Sequence, residues 1–233
     1  VQSKLLSSGA DYADLYYALQ QACKNLIGQK GITAANCVEV KDAVDAVEMT
    51  RQPGGVYNPD APVCAGGATP NVVFKDDLEA GLANWTFSNG AYTRWQLDTP
   101  IGPYAQSGLH SLFADDYPDT ITDASARLKP LVIPANAYLH FAHAFGFEDE
   151  HSAIFYDGGV LEYSTNNGAT WLDANGLIIN NWYTKQIESG YGNPLSGRYA
   201  FGGDSHGYIS TRLNLASLAG KTVSFRWRMG LDE

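Results

Sequence analysis

The amino-acid sequence predicts a mainly β protein, an antiparallel jelly-roll β-sandwich preceded by a two-helix hairpin. Three observations carry that expectation. From residue 72 onward, short alternating or aromatic-rich runs recur between turn residues, the pattern of half-buried strands. Before residue 50, apolar residues recur at spacings of three and four, the period of a helix. Between them, Pro and Gly crowd a stretch that suits neither ladder nor helix. The expected division is a helical hairpin over residues 1–49, a linker over 50–71 and the jelly roll over 72–233.

The first helix is expected over residues 11–28, with Leu15, Leu19, Cys23, Leu26 and Ile27 on one stripe and Gly28 as its stop. The second is expected over 33–49, capped by Thr33, with Cys37, Val40, Val44 and Val47 as its stripe. Cys23 and Cys37 sit on these inward stripes, so a disulfide between them would pin the hairpin. Closing a loop of about 15 residues contributes roughly 3 kcal/mol in the chain-entropy model. The alternative is three reduced thiols. Cys64 is the odd one of three cysteines, which implies a partner elsewhere or a free thiol. Two helices alone bury little, so the hairpin must pack on something larger.

Strands are expected over 72–74, 85–87, 94–97, 111–113, 126–128, 138–145, 159–164, 209–213 and 222–228. Asn166-Asn167-Gly168 is a hairpin turn signal between the apolar runs around Leu161 and Trp171. Residues 222–228 alternate as a half-buried strand does.

Composition narrows the function classes. Only 17% of the 233 residues are charged, while Gly counts 24 and Tyr 14, which suits an extracellular, turn-rich β protein. The net charge of −10 disfavours nucleic acid and anionic membranes, which are polyanions, and favours divalent cations. No run of apolar residues is long enough to span a membrane. No basic stretch followed by an apolar one opens the chain, so an export signal is expected upstream of Val1.

Candidate metal ligands follow from the carboxylates. Hard cations take several oxygens, mostly from carboxylates and carbonyls. Asp76, Asp77 and Glu79 open the β region, and Asp98, Asp115, Asp116, Asp119 and Asp123 follow. Glu148, Asp149, Glu150, Asp157, Asp232 and Glu233 complete the supply. With the first and last strands of a jelly roll adjacent, Asp77, Glu79 and Asp232 are expected to meet, with Asp115 and Asp123 adding ligands for a structural calcium ion. The alternative is a solvated acidic surface.

Catalysis finds no support. His140 and His143 are three apart, so on a strand they face opposite ways and do not share a zinc ion. Ser205 in Gly203-Asp204-Ser205-His206-Gly207 lies where no strand-to-helix elbow is expected, and the stretch reads as a loop. Trp182, Tyr183 and Tyr191 are the candidate ligand-binding aromatics, set against the usual core role of such side chains.

Two stretches carry a family resemblance. The segments Asp11-Tyr12-Ala13-Asp14-Leu15, Gln20-Gln21-Ala22-Cys23-Lys24-Asn25-Leu26-Ile27-Gly28 and Val40-Lys41-Asp42-Ala43-Val44-Asp45-Ala46-Val47 resemble the last two helices of thermolysin-like zinc metallopeptidases. The β region, through Phe74-Lys75-Asp76-Asp77-Leu78-Glu79, Tyr156-Asp157-Gly158-Gly159-Val160 and residues 218–232, resembles the MAM-like jelly rolls of immune-inhibitor-A-type peptidases. The sequence has no His-Glu-x-x-His, so the fragment is expected to hold no zinc and to be no enzyme, its parent being a zinc metalloendopeptidase. The resemblance further implies that the jelly roll is incomplete at its C-terminus and that Cys64 pairs beyond Glu233. The expectation is then a secreted, non-catalytic accessory region whose calcium-stabilised jelly roll binds substrate, glycan or cell surface. Its partner would be a protein or glycan, the missing peptidase core or a second copy. The alternative is a cleaved fragment that self-associates as an extracellular matrix subunit.

Overall fold

In a computed structural model, residues 5–51, 60–64, 66, 68–90, 95–99, 104–115, 120–150 and 153–232 are described. Expected features at Arg94, Asp116, Asp119, His151, Glu233 and most of the 50–59 stretch lie outside them.

Helix α1 runs Tyr12–Leu26 and α2 runs Ala34–Ala46. Both begin with a reciprocal cap. The Asp11 carboxylate accepts from the Asp14 N–H while Asp14 accepts from the Asp11 N–H, and Thr33 and Asn36 repeat the arrangement. Gly28 lies just past the α1 cap at φ +81°, where its N–H donates to Ile32 O and turns the chain into the second helix. Cys23 and Cys37 are disulfide-bonded, with Cα atoms 5.5 Å apart.

The expected stripes are only partly covered. Tyr16, Ala18, Cys23 and Val44 are buried, whereas Leu26, Ile27 and Val47 are exposed. Two helices offer each other only one line of contact, which leaves the apolar positions off that line toward solvent. Tyr16 makes a further link, its hydroxyl donating to Asp45 Oδ1 at 2.8 Å.

The β region holds fifteen short strands among the described residues. They are β1 Trp85–Ser88, β2 Trp95–Leu97, β3 Leu112–Ala114, β4 Thr122–Leu128 and β5 Leu131–Val132, then β6 Tyr138–His143, β7 Asp149–Glu150 and β8 Ile154–Phe155. After these come β9 Gly158–Ser164, β10 Leu172–Asp173, β11 Ile178–Asn180, β12 Lys185–Gln186, β13 Tyr199–Ala200, β14 Ile209–Asn214 and β15 Thr222–Leu231. The main sheet has the order β1-β4-β15-β9-β10, with β5 also pairing β15. A second sheet has the order β11-β14-β6, and every pairing is antiparallel. The remaining strands form two-stranded ribbons, so the sheets do not close on one another. The expected strand over 72–74 does not form; Val72 and Val73 are exposed and have no strand beside them to complete a ladder.

The core lies between the two sheets. Leu161, Val223 and Phe225 from the main sheet join Ile178 and Leu213 from the second, and Phe141 meets Trp227 edge-on at 5.3 Å. Tyr183, Ile187, Leu195, Ala200 and Phe201 from the segment after β11 complete it.

The other face of the main sheet carries an ion network. Glu162, 4% exposed, accepts from Arg198 Nη1 and Arg226 Nε, each at 2.6 Å. Arg228 binds both oxygens of Asp123 at 2.7 Å, and Arg198 reaches Asp173 at 2.8 Å. Burial on its own would raise the Glu162 pKa, but the bonds from Arg198 and Arg226 outweigh it and hold the carboxyl below its usual range.

The hairpin is tied to the β region at both ends. At its start, the Gly9 N–H donates to Ala105 O at 3.0 Å, and Ser8 Oγ accepts from the Ala105 N–H at 2.9 Å. A Cβ on Gly9 would stand 2.6 Å from the Tyr208 ring, so this close approach needs glycine. Beyond the hairpin, Ala61 and Pro62 lie on the second sheet. The Ala61 N–H donates to Ser210 Oγ, Ala61 O accepts from His140 Nε2, and Pro62 O accepts from Arg212 Nη1. That part of the expected linker is therefore anchored.

Two outcomes follow. Reducing Cys23–Cys37, which spans 14 residues, removes about 3 kcal/mol of local stability. Hydrogen exchange should then quicken in α1 and α2 while β15 amides keep their protection; unchanged helix exchange would contradict this. Glu162, with its depressed pKa, adds stability that is complete above its unfolded value of about 4.3 and is lost as pH falls through the folded one. The melting temperature should therefore hold to about pH 4.5 and drop below it. Glu162→Gln should cost about 2–3 kcal/mol at pH 7, less than a fully buried pair because its arginines stay partly exposed, and should flatten that acid limb.

Candidate functional site

Three carboxylates from separate parts of the chain converge where β9 begins and β15 ends. Ligand-capable oxygens of Glu148, Asp157 and Asp232 all lie within 4.8 Å of one another, and they form the one group of this kind among the described residues. Glu148 immediately precedes β7, Asp157 immediately precedes β9, and Asp232 immediately follows β15. The antiparallel pairing of Gly158 with Gly230 brings the last two together.

Backbone and amide groups fix the arrangement. Asp157 is 2% exposed, and its Oδ1 accepts from the Asp232 N–H at 2.8 Å. Asn193 Nδ2 donates to Tyr156 O at 2.7 Å and Gly230 O at 2.8 Å, bracing the two strand ends beside the carboxylates. A Cβ on Gly230 would sit 2.6 Å from Asn193 Oδ1, so glycine permits that bracing. Three carboxylates this close offer several oxygens to one point, the donor set that a hard cation takes. The donors are hard oxygens without nitrogen or sulfur, which fits a calcium ion better than zinc.

The five residues expected as metal ligands are not brought together. Asp77 is exposed and ion-pairs with Lys75, whose bond lowers its pKa. Glu79 Oε1 accepts the N–H groups of Leu109 and His110 at 2.8 and 2.9 Å. Asp115 is exposed on the strand end after β3. Asp123 is taken by Arg228. Asp232 alone of the five joins the observed trio. The expected meeting of Asp77, Glu79 and Asp232 presumed that first and last strands are neighbours, whereas β4 lies between β1 and β15. Asp76, next to Asp77, is an internal brace: it accepts from Leu78 N–H, Asn84 Nδ2 and Trp85 Nε1.

The aromatic candidates also separate. Tyr183 is a core residue whose hydroxyl bonds both the N–H and the carbonyl of Leu161, and burial raises its pKa. Trp182 is 55% exposed and Tyr191 48% exposed. Tyr191 packs edge-on to Tyr156 at 4.8 Å, which places it beside Asp157 rather than with Trp182.

The histidines behave as their spacing requires. His143 lies inside the core against Phe141, Phe145 and Phe201, and burial pushes its pKa down to about 3, so it stays neutral. His140 faces the opposite side of β6 and holds Ala61. Ser205 is a loop brace, its hydroxyl accepting from the Phe145 N–H and donating to backbone oxygens.

Glu148 and Asp157 were within reach of the sequence, since Asp157 belongs to Tyr156-Asp157-Gly158-Gly159-Val160. Their convergence depends on strand order, which no local pattern encodes.

No helix among the described residues is long and apolar enough to cross a membrane. No family model and no curated protein matches the chain. Among solved structures, the K3 cleaved adhesin domain of Lys-gingipain from Porphyromonas gingivalis W83 is similar over 69% of this chain and 95% of that chain, with 17% identity and a TM-score of 0.37. A likeness that distant assigns neither fold family nor function to this chain.

Proposed function

We propose that this chain is a non-catalytic, calcium-stabilised binding module of a secreted protein, with its β region of jelly-roll type. The observation that carries the reading is the convergence of Glu148, Asp157 and Asp232. Bound there, calcium would neutralise the three carboxylates and tie the segment before β7 to the start of β9 and the end of β15. Its role is cohesion of the strand ends. The disulfide between Cys23 and Cys37 supports an oxidising, extracellular setting. The motif resemblance favours an accessory region of a secreted zinc metallopeptidase, with a protein or glycan as ligand.

A second reading, self-association as an extracellular structural subunit, draws support from the hairpin. Tyr12, Tyr17, Val38 and Val47 are each more than half exposed on a short two-helix unit.

Calcium at a hundredfold excess over its dissociation constant should add about 2.7 kcal/mol, or about 5–10 °C of melting temperature at this chain length. EDTA should reverse the gain. Asp157→Asn should abolish it, while Asp123→Asn should lower stability yet keep the calcium response. A melting temperature indifferent to both calcium and EDTA would sink the proposal. Sedimentation velocity tests the second reading: a species that stays monomeric as concentration rises counts against it.

A further inference from the structure

The arginines on the outer face of the main sheet are served unequally. Glu162, Asp123 and Asp173 pair with Arg198, Arg226 and Arg228. Arg127 sits directly across from Arg226 in the β4–β15 register, a like-charge placement that is unfavourable without compensation. No carboxylate pairs with Arg127 among the described residues. Its Nη2 donates instead to two neutral oxygens, Asn167 Oδ1 at 2.8 Å and Ser224 Oγ at 3.1 Å. Its guanidinium lies 5.6 Å from the Trp171 ring centre, a ring that Arg226 also covers at 4.3 Å. These contacts orient the charge and leave it unneutralised.

A cleft opens at that place. It has a volume of about 260 Å³ and is lined by Pro130, Thr165, Asn166, Asn167, Thr222 and Ser224. Two of these are the acceptors of Arg127, so the guanidinium backs the cleft wall. Lys129, next to Pro130, lies over the Phe74 ring and likewise has no carboxylate partner among the described residues. The β9–β10 turn forming one wall is held stiffly. Ser164 Oγ accepts the N–H groups of Asn166 and Gly168, and Asn166 binds both the N–H and the hydroxyl of Thr170.

We propose that this cleft is a subsite for a sugar carrying one carboxylate. Its volume falls below the roughly 300–1,000 Å³ of pockets for drug-sized ligands, which suits one pyranose ring. Threonine hydroxyls and asparagine amides are donors and acceptors of the kind that meet sugar hydroxyls. A carboxylate supplies the counter-charge that Arg127 lacks among the described residues, and charge-assisted bonds of this type are the strong ones. A chain of net charge −10 repels polyanions, so a single carboxylate matches it better than a sulfated polymer. The braced turn lowers the ordering cost of binding. The cleft adjoins Thr222 and Ser164, while the carboxylate trio adjoins Leu231 and Gly158 at the far end of the same two strands. Ten residues of β15 put about 30 Å between them. The subsite is therefore separate from the calcium reading.

Titration of isotope-labelled protein with 3′-sialyllactose, and with lactose as the uncharged comparator, tests this by NMR. Sialyllactose should shift the Asn166, Asn167 and Gly168 amides, the Trp171 indole and the Arg127 side chain at millimolar concentration. Lactose should bind at least about tenfold more weakly. Arg127→Gln should erase that preference. Thr165→Trp, which fills the cleft without touching Arg127, should block binding in a variant whose other resonances stay in place. Equal response to both sugars, shifts centred elsewhere, or sialyllactose affinity unchanged by both variants would overturn the proposal. A calcium response without sialyllactose binding removes this inference alone, and sialyllactose binding without a calcium response leaves it standing.

Discussion

Strand β15 is hydrogen-bonded on both flanks, to β4 over Arg226–Leu231 and to β9 over Ser224–Gly230, and most of the β region takes its position from it. Its alternation is strict in chemistry. Val223, Phe225 and Trp227 turn to the core, while Ser224, Arg226 and Arg228 turn outward. A slip of one residue would drive two guanidinium groups into the space beside Phe141 and expose Phe225, so the register is fixed at high cost to any alternative. Glu162 reinforces the choice. Its buried carboxylate must find arginines in place, and leaving it without them would strand a charge out of water. Apolar packing on one face and charge pairing on the other thus select the same alignment.

Local chemistry was legible in the residues, and long-range order was not. The helix caps, the Asn166-Asn167-Gly168 turn with positive φ at Asn167 and Gly168, and the opposed faces of His140 and His143 all follow from interactions within a few positions. The 222–228 alternation likewise marked the central strand. The metal candidates depended on which strands are neighbours, and there the expectation parted from the structure. Asp123 looks like a free ligand until β15 brings Arg228 against it, and Glu79 until the turn at Leu109 and His110 presents its N–H groups. Tyr183 misled for a related reason: its hydroxyl is satisfied by backbone 22 positions away, which makes a polar aromatic suitable for the core. Val72 and Val73 show that β-branched residues form no strand without a partner.

The main sheet is chemically polarised along its length. Carboxylates gather where β9 begins and β15 ends, while Arg127 and Lys129, which have no carboxylate partner among the described residues, lie toward the end of β9 and the start of β15. In a chain so acidic, the second concentration is the less expected one, because abundant carboxylates leave Arg127 unserved. Demand from Arg198, Arg226 and Arg228 accounts for that, since Glu162 is engaged by all three.

The double tether of the helical hairpin has a mechanical consequence. Load applied along the helices reaches the β region at two places, Ala105 beside Gly9 and Ser210 beside Ala61, and the disulfide keeps α1 and α2 from sliding apart in between. The helices therefore have two separate points of attachment to the β region, one on either side of them along the chain. Under a pulling force, the side-chain grip of His140, Ser210 and Arg212 on residues 61–62 bears load together with the backbone bond at Gly9. Freeing the helices from the β region then requires both sets of bonds to open, in either order.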